Sequence, residues 1–289
     1  TVNDGDLLVA VDGTRANGPW VLDEDLRKVN ALVKFSRGSN DAGWSLGLSL
    51  YHADWTATDQ VPQRAIDSGL IDRFGYIDPD LGGRTTRAAL TLNAGFGATD
   101  FTAYALLYDF RLTSNFTYFL EDPINGDEFQ QRDQRGVFGG RLRHRVDTAI
   151  GGTPLAITLG ADARYDLIGK VGLYHSIGGV RSATVREDRV DEYSGALHAE
   201  GEVALTPRLR LMLGVRGDYY GYDVDADLAV NSGKGHDALL MPKAALAWRA
   251  SDHLEFYANY GESFHSNDVR GAAIRVDPVT DDPADRVGV

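Results

Sequence analysis

The stretch PRLRLMLGVRGDYYGY, residues 207–222, alternates apolar with polar or small side chains along most of its length. A period of two places successive side chains on opposite faces of an extended chain. The stretch is therefore predicted to be a β-strand with one apolar and one polar face. The apolar face carries Leu209, Leu211, Leu213, Val215 and Tyr219, and the polar face carries Arg208, Arg210, Arg216 and Asp218.

The same pattern recurs throughout the chain, which indicates an all-β fold. It is found in GWSLGLSLYH (43–52), RAALTLNAGF (87–96), PLAITLGADARY (154–165) and HLEFYANY (253–260). Residues 101–112 are apolar on both faces, so the orientation of that strand stays open. About eleven strands are predicted, many of them of ten or more residues.

Composition excludes several classes of protein. The 289 residues are 43% hydrophobic, carry a net charge of −13 and include no cysteine. The absence of cysteine excludes disulfide scaffolds and thiolate metal sites, and the acidic balance argues against a nucleic-acid partner. Apolar runs are too short for a transmembrane helix, and no targeting signal is visible in the sequence from Thr1 onward. Neither end resembles a natural start or stop, so the chain is expected to be part of a longer protein.

The connections between the predicted strands alternate between short and long. A transmembrane β-barrel has this arrangement, because one rim carries tight turns and the other carries large external loops, whereas a sandwich of the immunoglobulin kind has no reason to keep it. The short connections lie at 37–43, 97–100, 147–154, 206–207 and 250–253, and the long ones at 13–24, 55–84, 113–129, 169–189, 223–237 and from 262 onward.

Strand length and aromatic residues also favour a membrane barrel. A tilted strand needs about 9–11 residues to cross the hydrocarbon layer, and aromatic belts mark both of its interfaces. The alternative is a soluble antiparallel barrel or sandwich whose apolar face forms its core. Trp44, Phe101 and Trp248 lie beside short connections, and Tyr165, Tyr219 and Tyr260 lie toward long ones.

An odd number of strands does not suit a closed single-chain barrel, and an open sheet edge in lipid would leave backbone groups unpaired. Residues 1–289 are therefore predicted to be part of one larger barrel domain. The spacing of about 26 residues per strand suits barrels with large loops, of the size that encloses a plug.

Three stretches together resemble the TonB-dependent outer-membrane receptors. YANYGESFHSNDVRGA (257–272) is similar to a family segment in which an aromatic strand runs into G-x-x-F-H-S-N-D-x-R-G. WTATDQVPQRAIDSGLIDRFGYIDPDLGGRTTR (55–87) resembles an external loop of one branch of the family, and LTPRLRLMLGVRGDYYGYDV (205–224) resembles one of its strands. The similarity extends from the run NGPW (17–20) to Arg286.

The resemblance implies a 22-stranded barrel in the outer membrane of a Gram-negative bacterium, with an N-terminal plug and energy from the inner-membrane TonB complex. The partners would be membrane lipid, that complex, and a scarce solute: most often a ferric siderophore, otherwise cobalamin, haem or a carbohydrate. The plug, the segment that contacts TonB, the last strands and the terminal aromatic residue of the family pattern are not found in this sequence, so transport is expected of the parent protein. A passive porin, which needs no plug, is the alternative, and a soluble adhesion sandwich is a third possibility.

The polar run after the strand at 253–260 is interpreted as structural. Gly261 lets the chain leave the membrane band, and the side chains beyond it can hydrogen-bond to loop backbone or to the plug. A ligand-binding role for them is the alternative. The signature residues are Gly261, Phe264, His265, Ser266, Asn267, Asp268 and Arg270.

Loop aromatics are the candidate ligand contacts, because rings above a lumen can stack on a planar or sugar-like solute. The alternative is that they only close the loop on itself. These residues are Phe116, Tyr118, Phe119 and Phe129 in SNFTYFLEDPINGDEF (114–129).

Metal and catalytic motifs have little support, and no cofactor is expected. DVDADL (223–228) spaces three aspartates like a calcium loop, but Leu228 and Lys234 stand where an EF-hand needs Gly and Glu. Calcium on Asp223, Asp225 and Asp227 is kept only as an alternative to a solvated acidic loop. No G-x-S-x-G, H-E-x-x-H or P-loop pattern occurs, and His175 and Ser176, as neighbours in sequence, would point apart on a strand, so an enzyme is not predicted.

Overall fold

The computed structural model describes residues 4–39 and 41–286, and eleven strands in this part of the chain form one sheet. Each strand pairs antiparallel with its neighbours in sequence. No helix among the described residues is long and apolar enough to cross a membrane. The strands are β1 (Gly5–Ala16), β2 (Leu26–Gly38), β3 (Ala42–Thr56), β4 (Gly82–Phe96), β5 (Thr99–Ser114), β6 (Phe129–Ile150), β7 (Thr153–Ile177), β8 (Val180–Thr206), β9 (Leu209–Ala226), β10 (Gly233–Ser251) and β11 (Leu254–Gly261); the helices are α1 (Gln63–Asp67) and α2 (Val269–Ala273).

The all-β prediction and the number of strands are confirmed. The sheet is open, with β1 and β11 at its two edges within the described residues. The short connections are confirmed at all five predicted places, and they lie together at one end of the sheet, here called the turn end. The opposite end, here called the loop end, carries the remaining connections. The total of 22 strands concerns a larger barrel and stays a prediction.

Register places the alternating apolar side chains of different strands side by side on one face. Leu48 lies between Val33 of β2 and Leu90 of β4, and Leu90 pairs in turn with Ala105. Val33, Leu48 and Leu90 are 43%, 40% and 44% exposed. Continuous apolar surface of this kind is costly in water and is instead what a lipid-facing wall requires.

Aromatic side chains border this apolar band at both ends. At the turn end Phe35 contacts Trp44, with ring centroids 5.4 Å apart. At the loop end Tyr219 lies between Tyr193 and His236, at 6.3 and 5.7 Å. Leu209, at the turn end of β9, is ten residues from Tyr219, which at about 3.3 Å per residue and a tilt of about 40° gives a band about 25 Å high. This is the height of the lipid-facing band of an outer-membrane barrel.

Two of the predicted long connections are wrong in extent. Residues 169–189 form a β-hairpin, in which β7 and β8 continue to a tight turn at Gly178 and Gly179, both with positive φ. The connection predicted at residues 223–237 is likewise shorter, because β9 and β10 continue into it and leave only residues 227–232 between them. Register shifts between Ile168 and Val171 and again nearer the turn interrupt the period of two, so the pattern that marks a strand is lost where the strand continues.

The opposite face of the sheet is polar and is joined by ion pairs across strands. Asp162 accepts hydrogen bonds from Arg141 and Arg216, both at 2.7 Å. Arg210 of β9 pairs with Glu255 of β11 at 3.1 Å, and within β9 Arg216 also pairs with Asp218 at 2.8 Å. Acidic and basic side chains on this wall thus pair with one another, and in a barrel of this kind the polar wall faces the lumen.

The assignment of the two faces can be tested with adjacent residues of β3. Replacing Leu48 by Arg on the apolar face should lower the free energy of unfolding in lipid vesicles by about 2–4 kcal/mol, because the guanidinium must enter the hydrocarbon layer. Replacing Ser49 by Arg on the polar face should change it by about 1 kcal/mol or less. Guanidinium titration of the refolded barrel, followed by tryptophan fluorescence, measures both; equal costs would contradict the assignment.

Candidate ligand site at the loop end of the sheet

The loop between β5 and β6, residues 115–128, is held in shape by two aspartates. The carboxylate of Asp127 accepts backbone N–H groups from Leu120, Glu121 and Asp122 at 2.9, 3.2 and 2.7 Å. The carboxylate of Asp122 accepts the backbone N–H groups of Ile124 and Asn125, both at 2.9 Å. Side-chain carboxylates thus provide the acceptors that a strand partner would otherwise supply.

These hydrogen bonds lower the pKa of both carboxyl groups. For Asp122 the largest cause is the N–H of Asn125, followed by the amide side chain of the same residue. For Asp127 burial raises the pKa, but the hydrogen bonds from Asp122, Thr117, Glu121 and Leu120 together outweigh it. The ionised carboxylates are therefore the form that the loop stabilises.

The tip of this loop exposes large apolar side chains. Phe116 and Phe119 are 58% and 53% exposed, and the half-buried Phe129 contacts Phe116 with ring centroids 5.4 Å apart. Leu120 and Ile124 are exposed beside them, Ile124 by 86%. Sequence reasoning missed these two, although an isoleucine inside the turn sequence DPING is a signal that could have been read.

Tyr118, the fourth predicted aromatic contact, is buried instead of exposed. Only 3% of its surface is exposed, its backbone is left-handed with φ 63°, and its hydroxyl donates to the carbonyl of Gln60 at 3.3 Å. Burial, together with the nearby Asp59 and Asp78, raises the pKa of Tyr118 to about 12. The ring therefore offers a ligand almost no surface, and it joins two loops.

The loop between β3 and β4, residues 57–81, docks against the β5–β6 loop through buried Asn115. The backbone N–H of Asn115 donates to Asp59 at 2.9 Å, and its side-chain amide donates to Asp78 at 3.0 Å. Its side-chain oxygen accepts the N–H of Tyr118 at 2.8 Å. Arg64 adds a hydrogen bond to the carbonyl of Thr117 at 3.2 Å.

Glu128 connects the same unit to the β7–β8 hairpin. Its carboxylate is buried and accepts the N–H of Gly179 at 3.0 Å, while its carbonyl accepts the N–H of Ser176 at 3.0 Å. Burial raises the pKa of Glu128, against the lowering effect of hydrogen bonds from Ser176 and Gly179. Two loops and a hairpin thus form one hydrogen-bonded unit that presents Phe116, Phe119, Leu120 and Ile124.

The signature segment begins at Gly261, where β11 ends, and its first residues are exposed. Phe264, His265, Ser266 and Asn267 are exposed, Phe264 by 41%. Asp268 caps α2 by accepting the backbone N–H of Arg270 at 3.0 Å, and it also pairs with the Arg270 guanidinium at 2.5 Å. Arg270 is mostly buried and lies 3.9 Å from the fully buried carboxylate of Asp188.

Helix α2 packs on the polar face of the sheet near its loop end. The buried residues of α2 join an apolar cluster on this face. The chain that follows α2 is held by buried Asn231. The amide oxygen of Asn231 accepts the N–H groups of Arg275 at 2.8 Å and Val276 at 3.0 Å, and its amide nitrogen donates to the carbonyl of Val276 at 2.8 Å. Asp268 and Arg270 thus occupy positions that suit anchoring, while the anchoring role of the exposed signature residues stays a prediction. The cluster consists of Val269, Ala272 and Ala273 with Ile168, Val190, Tyr222, Val224 and Ala226.

The three aspartates of the possible calcium loop do not converge. Asp223 pairs with Lys234 at 2.6 Å, and Asp227 accepts the backbone N–H of Glu187 at 2.9 Å. In the part of the chain that is described, no group of three or more His, Asp or Glu side chains is placed to hold a metal ion. His175 and Ser176 are neighbours on β7, within the stretch 169–189 that the sequence predicts as a long connection.

A sequence model of the family described as TonB dependent receptor-like, beta-barrel, matches residues 19–280. The chain belongs to this family. TonB-dependent receptor barrels are outer-membrane proteins of Gram-negative bacteria, and they are receptors and transporters. The predicted family and fold class are therefore confirmed. Outer-membrane barrels carry their longer loops on the extracellular side. No match is found among curated proteins.

Solved structures share the fold at low sequence identity. The unliganded ferric citrate transporter FecA superposes with a TM-score of 0.70 at 14% identity, over 90% of this chain and 39% of that protein. The siderophore receptor PiuA from Acinetobacter baumannii gives 0.66 at 13% identity, over 90% and 45%. The ferric-catecholate import receptor Fiu from Escherichia coli K12 gives 0.64 at 12%, over 89% and 46%. This TonB-dependent receptor chain thus spans less than half the length of each.

The anchoring of the segment after β11 can be tested at Asn231. Replacing it by Ala removes three hydrogen bonds at a buried site, at a cost of about 1–3 kcal/mol, so the segment should open more often. Trypsin should then cleave after Arg275 about 5- to 100-fold faster on intact cells or in detergent. Asn125→Ala, on the β5–β6 loop, is the control and should leave this rate unchanged. An unchanged rate in Asn231→Ala would contradict the anchoring.

The β5–β6 loop should loosen in acid. Folding lowers the pKa values of Asp122 and Asp127. The stability that these two carboxylates give to the loop is therefore complete above their ordinary pKa of 3.8, and it is lost as the pH falls below that value. The raised pKa of Glu128 acts in the opposite direction and at higher pH. A spin label at Ile124→Cys should become more mobile only below about pH 3.8, whereas a label at Leu70→Cys should not follow this profile. In the variant that also carries Asp127→Asn, the spin label at position 124 should be mobile already at neutral pH.

Proposed function

We propose that the protein to which this barrel segment belongs captures a scarce solute outside the cell and imports it across the outer membrane. The observation that carries this proposal is the hydrogen-bonded loop unit, which presents Phe116, Phe119, Leu120 and Ile124 on the external side of a TonB-dependent receptor barrel. A rigid platform of exposed apolar side chains on loops is suited to ligand capture. Import would be energised through the TonB complex by parts of the protein outside residues 1–289.

The proposed ligand is a metal chelate, and a ferric siderophore is the leading class. Structural relatives support this class, since they include a ferric-catecholate import receptor, a siderophore receptor and a copper transporter. The composition of the β5–β6 loop restricts the ligand class further. Residues 114–129 include four acidic residues and no Lys or Arg, so the platform disfavours a strongly anionic chelate and favours a neutral or cationic one with flat apolar surface.

Uptake by cells tests the transport proposal. Deletion of the gene should abolish accumulation of at least one radiolabelled iron chelate from a panel, and inactivation of TonB should abolish it equally. Import that survives the loss of TonB would instead indicate a passive pore, the alternative function. Import of cobalamin, haem or a carbohydrate, with no chelate imported, would replace the ligand class and keep the transport proposal.

The loop platform makes a prediction of its own. The double variant Phe119→Ala, Ile124→Ala should bind the transported chelate about 10-fold more weakly, because two exposed apolar contacts are lost. Leu70→Ala removes an equally exposed apolar side chain from the β3–β4 loop and should bind as the wild type does. Fluorescence quenching on whole cells measures both affinities, with surface levels checked by antibody. Equal affinity in the double variant would contradict a role for the platform.

A further inference from the structure

A threonine, a histidine and an aspartate form one hydrogen-bonded chain on the lipid-facing side of the sheet. Thr86 of β4 pairs directly with His52 of β3, and the Oγ1 of Thr86 lies 2.8 Å from the Nδ1 of His52. The Nε2 of the same ring lies 3.3 Å from a carboxylate oxygen of Asp54, two residues farther along β3. These three residues are here called the rim triad. The side chains of His52 and Asp54 are 45% and 36% exposed, and Thr86 is exposed as well, so all three are accessible.

The rim triad lies where the apolar band ends, on the loop side of the sheet. Two residues nearer the turns, the same face of β3 and β4 carries the paired Leu50 and Ala88, and the next pair is Leu48 with Leu90. The ester bonds of a membrane lipid lie at this boundary, between its acyl chains and its headgroup. An ester carbonyl can therefore meet Thr86 while the acyl chain lies against the leucines of the band.

The carboxylate of Asp54 selects one tautomer of His52. An ionised carboxylate only accepts hydrogen bonds, so the ring proton lies on Nε2 and is donated to Asp54. The Nδ1 then accepts the hydroxyl proton of Thr86. Nucleophile, base and orienting acid thus follow one another as in the Ser-His-Asp triads of hydrolases, with the two ring nitrogens exchanged.

The neighbours of Thr86 on its other side leave its hydroxyl to His52. Asp109 is the residue of β5 that pairs with Thr86. Its carboxylate accepts hydrogen bonds from Arg132 at 2.8 Å and from Gln134 at 2.5 Å. Asp109 is therefore satisfied by groups on β6, and it does not compete for the hydroxyl proton.

A second histidine–threonine pair shows what the rim triad contains in addition. The Nδ1 of His144 lies 2.8 Å from the Oγ1 of Thr99, on the same face of the sheet and at its turn end. Among the residues that the structure describes, no carboxylate forms an ion pair with His144, whereas His52 has one in Asp54. The pair at the turn end can bridge two strands, but it lacks the acid that orients the base.

We propose that the rim triad hydrolyses carboxylic esters of long-chain fatty acids, the ester class of membrane lipids. The Oγ1 of Thr86 attacks the ester carbonyl carbon while its proton passes to the Nδ1 of His52. The bond from that carbon to the alcohol oxygen then breaks, and the leaving alcohol takes the proton from His52. Water, deprotonated by His52, releases the fatty acid from Thr86, and the same proton restores the threonine hydroxyl. One ester and one water thus give one acid and one alcohol.

Arg84 supplies positive charge for the oxyanion that forms in the first step. It lies on β4 two residues from Thr86, on the same face, and it is paired across the strands with Asp54. Its side chain is exposed and forms no ion pair with a described residue. Alternate residues of a strand are about 7 Å apart, a distance that an arginine side chain spans. A fixed cation at the carbonyl oxygen lowers the barrier to attack.

The experiment uses the full-length protein, purified in detergent and reconstituted into vesicles of phospholipid with radiolabelled, ester-linked acyl chains. The wild type should release labelled fatty acid. Thr86→Val keeps the shape of the side chain without the hydroxyl and should lower the rate at least about 100-fold. Asp54→Asn should also lower it at least about 100-fold, because the tautomer of His52 is no longer selected. Thr86→Ser keeps a hydroxyl and should retain the activity within about 10-fold.

Two other threonines provide matched controls. Thr85→Val changes the adjacent residue of β4, which lies on the opposite face, and Thr99→Val removes the hydroxyl of the pair at the turn end. Both variants should hydrolyse the ester as the wild type does, and ether-linked phospholipid should not be cleaved. Equal release by the wild type and Thr86→Val would mean a contaminating hydrolase and would overturn the proposal, as would no release at all. If Thr86→Val fails to assemble, Asp54→Asn is judged by the same criteria.

Further arms identify the lipid. Phospholipid and purified lipopolysaccharide, which both carry ester-linked acyl chains, are offered separately, and release from either one supports the proposal and names the source. Hydrolysis of a water-soluble short-chain ester, with no long-chain ester cleaved, would overturn the lipid substrate. This inference requires a barrel in the outer membrane, but not transport. Thr86→Val cells should import the chelate as wild-type cells do, so a failure here leaves the proposed function intact.

Discussion

Backbone hydrogen bonding in lipid is the constraint on which the rest of the structure depends. Water is absent from the hydrocarbon layer, so every N–H and C=O in a spanning segment must find a partner within the protein. Antiparallel pairing of each strand with its sequence neighbour satisfies this requirement with short turns. The alternation of side chains follows, since one face of each strand meets lipid and the other meets the lumen.

The loops satisfy the same requirement by different means. Beyond the membrane their backbone groups are taken up by side chains, above all by Asp122, Asp127, Asn115 and Asn231. Each of these residues serves two or more backbone or side-chain groups, so a few positions shape long segments. The β5–β6 loop keeps its shape despite an exposed apolar tip, because the residues beneath the tip are polar and hydrogen-bonded to one another.

The two faces of the sheet also divide the electrostatics of the chain. On the lumen side, acidic and basic groups neutralise one another across strands, as around Asp162. On the lipid side, charge is excluded from the apolar band, as in the row formed by Val33, Leu48 and Leu90.

The sequence by itself determined the fold class, the number of strands, the family and the apolar face of the strands that alternate, because a period of two survives where one face meets lipid and the other is polar; residues 101–112 are apolar on both faces, and only the structure oriented that strand. Where bulges break that period, at Ile168 and beyond, only the structure placed the hairpin. The candidate site was predicted in part: Phe116 and Phe119 are exposed, but Tyr118 is buried, since a loop aromatic's environment depends on partners such as Gln60 and Asp78 that are distant in sequence. Register likewise decided which charged residues meet on the lumen wall, where Asp162 accepts hydrogen bonds from Arg141 of β6 and Arg216 of β9, which no local sequence pattern connects.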